Sequence, residues 1–158
     1  FFTVYGPWGR PDMAPMIFAK AILNGDPIKV FNKGNMKRDF TFIDDIVTGV
    51  ISCCYKASIV DDSFDFYNPK SSTSYAPHRI FNIGNSSPVE LNYFIELLEK
   101  SLNKKALKIF YPMQKGDVQT TYADVSKLFD WIKYEPKTSI EEGVKKFCKW
   151  FIKYGREY

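Results

Sequence analysis

The sequence predicts an α/β chain, α+β in its internal order, and three observations carry that prediction. Short apolar or alternating runs of strand length recur at 1–4, 28–31, 38–43, 79–84 and 107–111. Amphipathic stretches with helical spacing and recognisable caps separate them, and most of the unusual residues fall in the connecting loops. With 158 residues, 45% hydrophobic and with 14 Phe and 10 Tyr, the chain is long enough to bury roughly 70% of its unfolded surface.

Phe1-Phe2-Thr3-Val4 reads as a strand. It opens the sequence inside an apolar run with no initiator Met, so the chain is expected to be the C-terminal part of a longer protein. Asp12, Pro15 and Gly25 mark the cap, first turn and end of a helix through Met16–Leu23. Ile28–Phe31 and Arg38–Ile43, joined across Asn32-Lys33-Gly34-Asn35, are expected to form a hairpin. Asp44 or Asp45 should cap a helix running to Tyr55. Residues 58–77 have no apolar period and read as a surface loop, mobile unless a ligand or partner pins it.

Arg79–Gly84 is expected as a strand, and Ser87-Pro88-Val89-Glu90 as a capping box opening a helix with Leu91, Phe94, Ile95, Leu98 and Leu102 inward. Leu107–Tyr111 is a further strand, and Asp124 should cap a short helix containing Val125, Leu128 and Phe129. Thr138-Ser139-Ile140-Glu141 reads as a second capping box. The helix after it should point Ile140, Val144, Phe147, Cys148 and Phe151 inward and end near Gly155.

The net charge of +4, without basic runs longer than pairs, excludes a nucleic-acid stripe. Cys53, Cys54 and the distant Cys148 form neither a disulfide framework nor a metal pattern. Reduced thiols, no apolar run of spanning length and no signal sequence point to a cytoplasmic protein without a membrane partner.

Tyr5-Gly6-Pro7-Trp8-Gly9-Arg10-Pro11-Asp12 crowds conformational constraints onto a strand's C-terminal end, where open α/β sheets bind ligands; an ordinary tight connection is the other reading. Arg10 offers a fork for a carboxylate or phosphate. Arg38 could contact a phosphate or pair with Asp39 or Asp44. Asp117 could accept from ribose hydroxyls or simply belong to a Gly-Asp turn. Tyr111 and Lys115 match the Y-x-x-x-K of a proton relay, but Pro112 and Gly116 deny them a shared helical face. His78 reads as a solvated loop histidine. No glycine-rich dinucleotide loop or P-loop is present, so phosphate binding would fall to arginines.

Four ordered segments, Thr3–Ala14, Arg38–Ile46, Phe81–Asn85 and Met113–Val118 with Thr121–Asp124, resemble the C-terminal half of extended short-chain dehydrogenase/reductases, and most of all the UDP-glucuronate 4-epimerase branch. The resemblance spans nearly the whole chain. It implies a nucleotide-sugar-binding domain at 13–158, preceded at 1–12 by the last strand and loop of a Rossmann domain. NAD and the catalytic Tyr/Lys pair would belong to the part outside these residues. No catalytic residue and no metal ligand is expected within them.

The resemblance further implies that the full-length enzyme interconverts UDP-glucuronate and UDP-galacturonate by oxidation and re-reduction at C4, as an isomerase and a homodimer, and that this chain alone is inactive. Thr3 and Arg10 match the pair holding the uronate carboxylate. Lys29, Val30 and Phe31 match the strand lining uracil, mainly with backbone groups; Arg38 matches the diphosphate ligand, and Gln114 and Asp117 the uridine and ribose contacts. Phe1, Phe2 and Tyr5 would lie towards the nicotinamide. The 58–77 loop departs from the pattern except at Ser72-Thr73-Ser74 and Ala76-Pro77. The edge strand Phe1–Val4 and some helix faces would be left for the cofactor domain to cover. A UDP-uronate decarboxylase, another NAD-dependent UDP-sugar epimerase or dehydratase, or a non-catalytic binding module are the alternatives.

Overall fold

The computed structural model describes residues 1–155. The chain makes β1 (Thr3–Tyr5), α1 (Ala14–Asn24), β2 (Pro27–Phe31), β3 (Lys37–Arg38), β4 (Phe40–Phe42) and α2 (Ile43–Cys54). After a long loop come β5 (Val89–Glu90), α3 (Leu91–Leu102), β6 (Leu107–Tyr111), α4 (Ser126–Ile132) and α5 (Ile140–Tyr154).

The strands join as three separate pairs. β1 lies parallel to β4, with Thr3 beside Phe40 and Tyr5 beside Phe42. β2 lies parallel to β6 from Pro27–Leu107 to Phe31–Tyr111. β3 lies antiparallel to β5. The hairpin expected between 28–31 and 38–43 is therefore not formed. Asn32, Lys33 and Gly34 all take left-handed φ values of 49°, 52° and 81°, and the chain leaves β2 in a 3₁₀ turn instead of folding back on it. β6 takes the edge that a hairpin partner would have used.

Other local expectations shift for similar reasons. Residues 80–84 pair with no strand; only Arg79 makes an isolated bridge, to Thr73. Val89 and Glu90 are drawn into β5, so the capping box from Ser87 does not form and α3 starts at Leu91. Met13, not Asp12, precedes α1, while Gly25 ends it at φ 79° as expected. Phe42 precedes α2, leaving Asp44 and Asp45 in its first turn, where their charge suits the helix dipole. Val125 precedes α4, although Asp124 Oδ1 does accept from the Ser126 N–H at 3.0 Å. The second capping position is one residue later than expected: Ser139 Oγ accepts from the Glu142 N–H at 3.2 Å.

The inward faces of α3 and α5 are those the periodicity predicts, and they meet in one core. Phe94, Ile95 and Leu98 pack with Val144, Phe147 and Phe151, all buried. Phe40 stacks on Phe94 with ring centroids 4.3 Å apart, and Tyr5 meets both edgewise. Ile46, Ile83 and Leu128 make a smaller cluster. The three cysteines are free, and burial pushes the Cys148 thiol up to about 12. The outer face of α2 keeps Val47, Val50 and Ile51 exposed. Among the described residues no helix is long and apolar enough to cross a membrane.

Two carboxylates tie the loops to this frame. Asp39 is wholly buried, and its oxygens accept from the N–H groups of Asn85, Ser86 and Ala123 at 3.1, 3.1 and 2.9 Å. Asp45 accepts from Lys137 and Thr138 N–H at 3.2 and 3.1 Å, while its carbonyl accepts from Tyr134 Oη at 2.5 Å.

Gly143 sits where α5 passes the Tyr5 ring, and a methyl group there would overlap the Tyr5 hydroxyl and approach the Phe42 ring at 3.2 Å. Gly143→Ala gains about 1 kcal/mol of helix propensity but overpacks a rigid core contact for about 1–3 kcal/mol. Urea unfolding should show a net loss, only partly recovered with Tyr5→Phe, because the ring carbon itself lies 2.8 Å from the added atom.

Burial first, then the Asp45 charge and hydrogen bond, push Tyr134 up from 10.0 to about 12. The folded state favours the neutral phenol, so its contribution is complete below pH 10 and disappears as pH rises from about 10 to about 12. Stability measured across that window should fall, and should fall less steeply in Tyr134→Phe.

Candidate functional site

Six of the residues marked by the resemblance emerge at one corner of the fold. β2 and β6 finish side by side, with the Phe31 and Tyr111 rings 5.7 Å apart. Lys29 lies along the same strand, its Nζ 5.9 Å from the centre of the Tyr111 ring. Val30 is fully buried.

Beyond β6 the chain turns at Gln114–Asp117. The Asp117 N–H donates to the Gln114 carbonyl at 3.2 Å, and Gly116 sits at φ 84°, where a side chain would be strained. The expected Gly-Asp turn is thus present, and Asp117 still has a second role. After the turn the chain runs back along β3: the Lys37 N–H donates to the Gln119 carbonyl at 2.9 Å, and the Thr121 N–H donates to the Lys37 carbonyl at 3.2 Å.

That return brings Asp117 to Arg38. Arg38 Nη2 donates to Asp117 Oδ1 at 2.8 Å, and Nη1 donates to the carbonyls of Lys37 and Gln119 at 3.0 and 3.2 Å. Neither Asp39 nor Asp44, the ion-pair partners considered from sequence, holds this guanidinium. The pair is mostly screened from solvent, with side-chain exposures of 17% and 34%. A guanidinium has five N–H donors, so three bonds do not exhaust it.

Arg10 is a different case. Nε and Nη2 grip both oxygens of Asp12 at 3.0 and 2.6 Å, and both side chains are about 70% exposed. The hydrogen bond from Arg10 holds the Asp12 carboxyl below the usual carboxylate range. No hydrogen bond joins Arg10 to Thr3, which sits in β1 beside Phe40. Arg38 precedes β4, whereas Arg10 follows the opposite, C-terminal end of the parallel partner β1. The two arginines therefore belong to opposite ends of one strand pair.

Of the residues expected towards the nicotinamide, Phe1 and Phe2 are exposed at the start of β1. The Tyr5 ring is instead committed to the core, where burial and nearby carboxylates raise its pKa. Only its backbone is left for ligand contact. Among the described residues no group of three or more His, Cys, Asp or Glu could hold a metal ion. A concavity of about 660 Å³ lies elsewhere, over Lys100, Lys105 and Lys108 at the end of α3. Lys105 and Lys108 are already paired with Glu99, which makes it a solvated charged face and a poor site.

Sequence reasoning missed Asp39 and Thr121, which hold this corner together. The Asp39 N–H donates to Thr121 Oγ1 at 3.0 Å. The available signal was the position of an Asp inside the apolar alternation that follows Arg38.

Comparison with known proteins places this geometry in a class. Residues 1–65 match the model of the NAD dependent epimerase/dehydratase family, and nearly the whole chain is similar to the C-terminal part of longer relatives. It is 48% identical to the protein CapI of Staphylococcus aureus and 42% identical to UDP-glucuronate 4-epimerase 1 of Arabidopsis thaliana, in each case over 98% of this chain. Among solved structures, UDP-glucuronic acid 4-epimerase from Bacillus cereus in complex with UDP-glucuronic acid and NAD superposes with a TM-score of 0.77, at 30% identity over 96% of this chain. The chain spans less than half of each of these proteins: 46%, 36% and 43% of their lengths respectively.

The two arginines should respond differently to removal. Arg10→Ala, an exposed pair, should leave the thermal midpoint unchanged. Arg38→Ala removes three bonds in a mostly screened corner and should lower it, by about 2–4 °C for each kcal/mol lost in a chain of this size.

Proposed function

We propose that this chain is the nucleotide-sugar-binding part of an NAD-dependent UDP-glucuronate 4-epimerase, with the uronate carboxylate on Arg10 and Thr3 and the diphosphate on Arg38. The observation that carries the reading is the convergence of Phe31, Arg38, Gln114 and Asp117 at the common end of β2 and β6. Similarity to UDP-glucuronate 4-epimerases over nearly the whole chain supports it.

Each residue has a physical task. Arg38 is held by two carbonyls and one carboxylate, so it meets a diphosphate already oriented, and a charge-assisted fork binds phosphate more strongly than a neutral donor would. The backbone of Lys29, Val30 and Phe31 lines the uracil, and Gln114 and Asp117 supply the remaining uridine and ribose contacts. Arg10 exchanges the carboxylate of Asp12 for that of the substrate, and the exposed pair is cheap to open. A 4-keto uronic acid is a β-keto acid prone to lose CO₂. A fork that fixes its carboxylate in an unfavourable orientation for cleavage protects it.

The residues of this chain do not form a dinucleotide site by themselves. The sequence has no glycine-rich phosphate loop, and the exposed Phe1 and Phe2 offer an apolar edge to a nicotinamide ring. NAD, held by residues outside this chain, would supply hydride-transfer chemistry at C4 of the sugar. The proposal gives the dinucleotide site and the Tyr/Lys relay to a preceding Rossmann domain, whose last strand and loop are residues 1–12. β4 and α2 would lie against that domain, since β4 pairs with β1 and the outer face of α2 is exposed and apolar. The chain alone would bind without turnover. The full-length enzyme would be a cytoplasmic homodimer, a reading that the free thiols support for the compartment.

Calorimetric titration with UDP, UDP-glucuronate and UDP-glucose, without NAD, tests the assignment. Arg38→Ala should weaken all three ligands by about 10- to 100-fold. Arg10→Ala should abolish the preference for the uronate while leaving UDP affinity intact. Retention of that preference in Arg10→Ala would overturn the carboxylate assignment.

A further inference from the structure

We infer that Asp39 is the positioning residue for Arg38: its buried carboxylate clamps residues 121–123 onto the β3–β4 junction and so fixes the acceptors that aim the guanidinium. The inference rests on the reading of Arg38 as the diphosphate ligand.

Asp39 forms no ion pair among the described residues, although it is wholly buried and adjoins an arginine. Burying a carboxylate is costly unless hydrogen bonds to it replace water. Here they come from three backbone N–H groups, those of Asn85, Ser86 and Ala123. Ser86 Oγ closes the ring by donating to the Ala123 carbonyl at 2.7 Å. Gly84 makes room for the arrangement, because a Cβ there would overlap that of Ala123 and lie 3.1 Å from Asp39 Oδ2.

The main-chain N–H of the same residue reaches Thr121 Oγ1. Asp39 therefore grips residues 121–123 from both its side chain and its backbone. Four residues upstream of Ala123 is Gln119, whose carbonyl accepts from both Lys37 N–H and Arg38 Nη1; two further is Asp117. Two of the three acceptors that hold the Arg38 guanidinium thus lie on the segment that Asp39 fastens. If that segment were released, the fork would lose its orientation before any ligand arrived, and binding would have to supply the ordering.

The test combines a ligand-free readout with a binding cycle, both on the full chain. Phenylglyoxal modification of Arg38, followed by mass spectrometry and referred to the exposed Arg10 in the same molecule, reports how firmly the guanidinium is held. Asp39→Asn and Thr121→Val should raise the Arg38/Arg10 rate ratio by about fivefold or more, and Thr121→Ser should restore it. If Asp39→Asn fails to fold by circular dichroism, Asp39→Glu decides, since it keeps the charge but displaces the carboxylate from the three N–H groups, while Thr121→Val reports the main-chain half of the clamp. In the binding cycle Thr121→Val should weaken UDP about fivefold in the wild-type background and not at all beside Arg38→Ala.

An unchanged modification ratio, or an equal loss of UDP affinity in both backgrounds, would overturn the inference. If Arg38→Ala leaves UDP binding intact, or if the wild-type chain binds no UDP, the functional reading of Arg38 fails instead. The modification ratio then still shows whether Asp39 positions it.

Discussion

The buried carboxylate of Asp39 is the interaction on which the rest of the arrangement depends. It sits between β3 and β4, at the point where the chain passes from one strand pair to another. By accepting N–H groups from 85–86 and 123 it joins three stretches far apart in sequence, two of which form no strand or helix of their own. It adds to the two backbone bonds between Lys37 and the strand-like return at 119–123, and it ties the loop after Gly84 to the same return. A hydrophobic residue could fill the same volume but could not satisfy three inward-pointing N–H groups.

Among the described residues, the frame that presents the carboxylate has three two-stranded pairs and no larger sheet. Such small pairs are marginal by themselves, and here the helices supply what they lack. Tyr5 and Phe40, on neighbouring parallel strands, both pack against Phe94 of α3, so the β1–β4 pair is built into the same core as the α3–α5 contact. Rigid packing of this kind makes strand ends useful as binding platforms, because the loops that leave them start from fixed points.

The two arginines show how one type of side chain can be kept ready for an anion in two ways. Arg38 is oriented in advance, mostly screened, by acceptors that persist around it. Arg10 is parked on an exposed neighbouring carboxylate that a ligand can displace. Under the proposed function, the first arrangement would favour affinity for a group common to all nucleotide sugars. The second would favour discrimination, since only a ligand that brings its own carboxylate would replace what Asp12 supplies.

By itself the sequence determined the apolar faces of α3 and α5, the C-terminal end of α1, and the positions of Arg10, Arg38, Gln114 and Asp117 in their loops and strands. Those features depend on spacing and local conformational preference, which act over a few residues. Pairing between distant segments was decided only by the tertiary structure. A hairpin between β2 and the segment after Gly34 satisfied every local rule, yet β2 pairs instead with β6, 76 residues or more along the chain. The same holds for Arg38, whose partner is 79 residues away rather than adjacent, and for Asp39. A carboxylate in an apolar strand pattern looks solvent-facing until the fold brings three unsatisfied N–H groups to meet it.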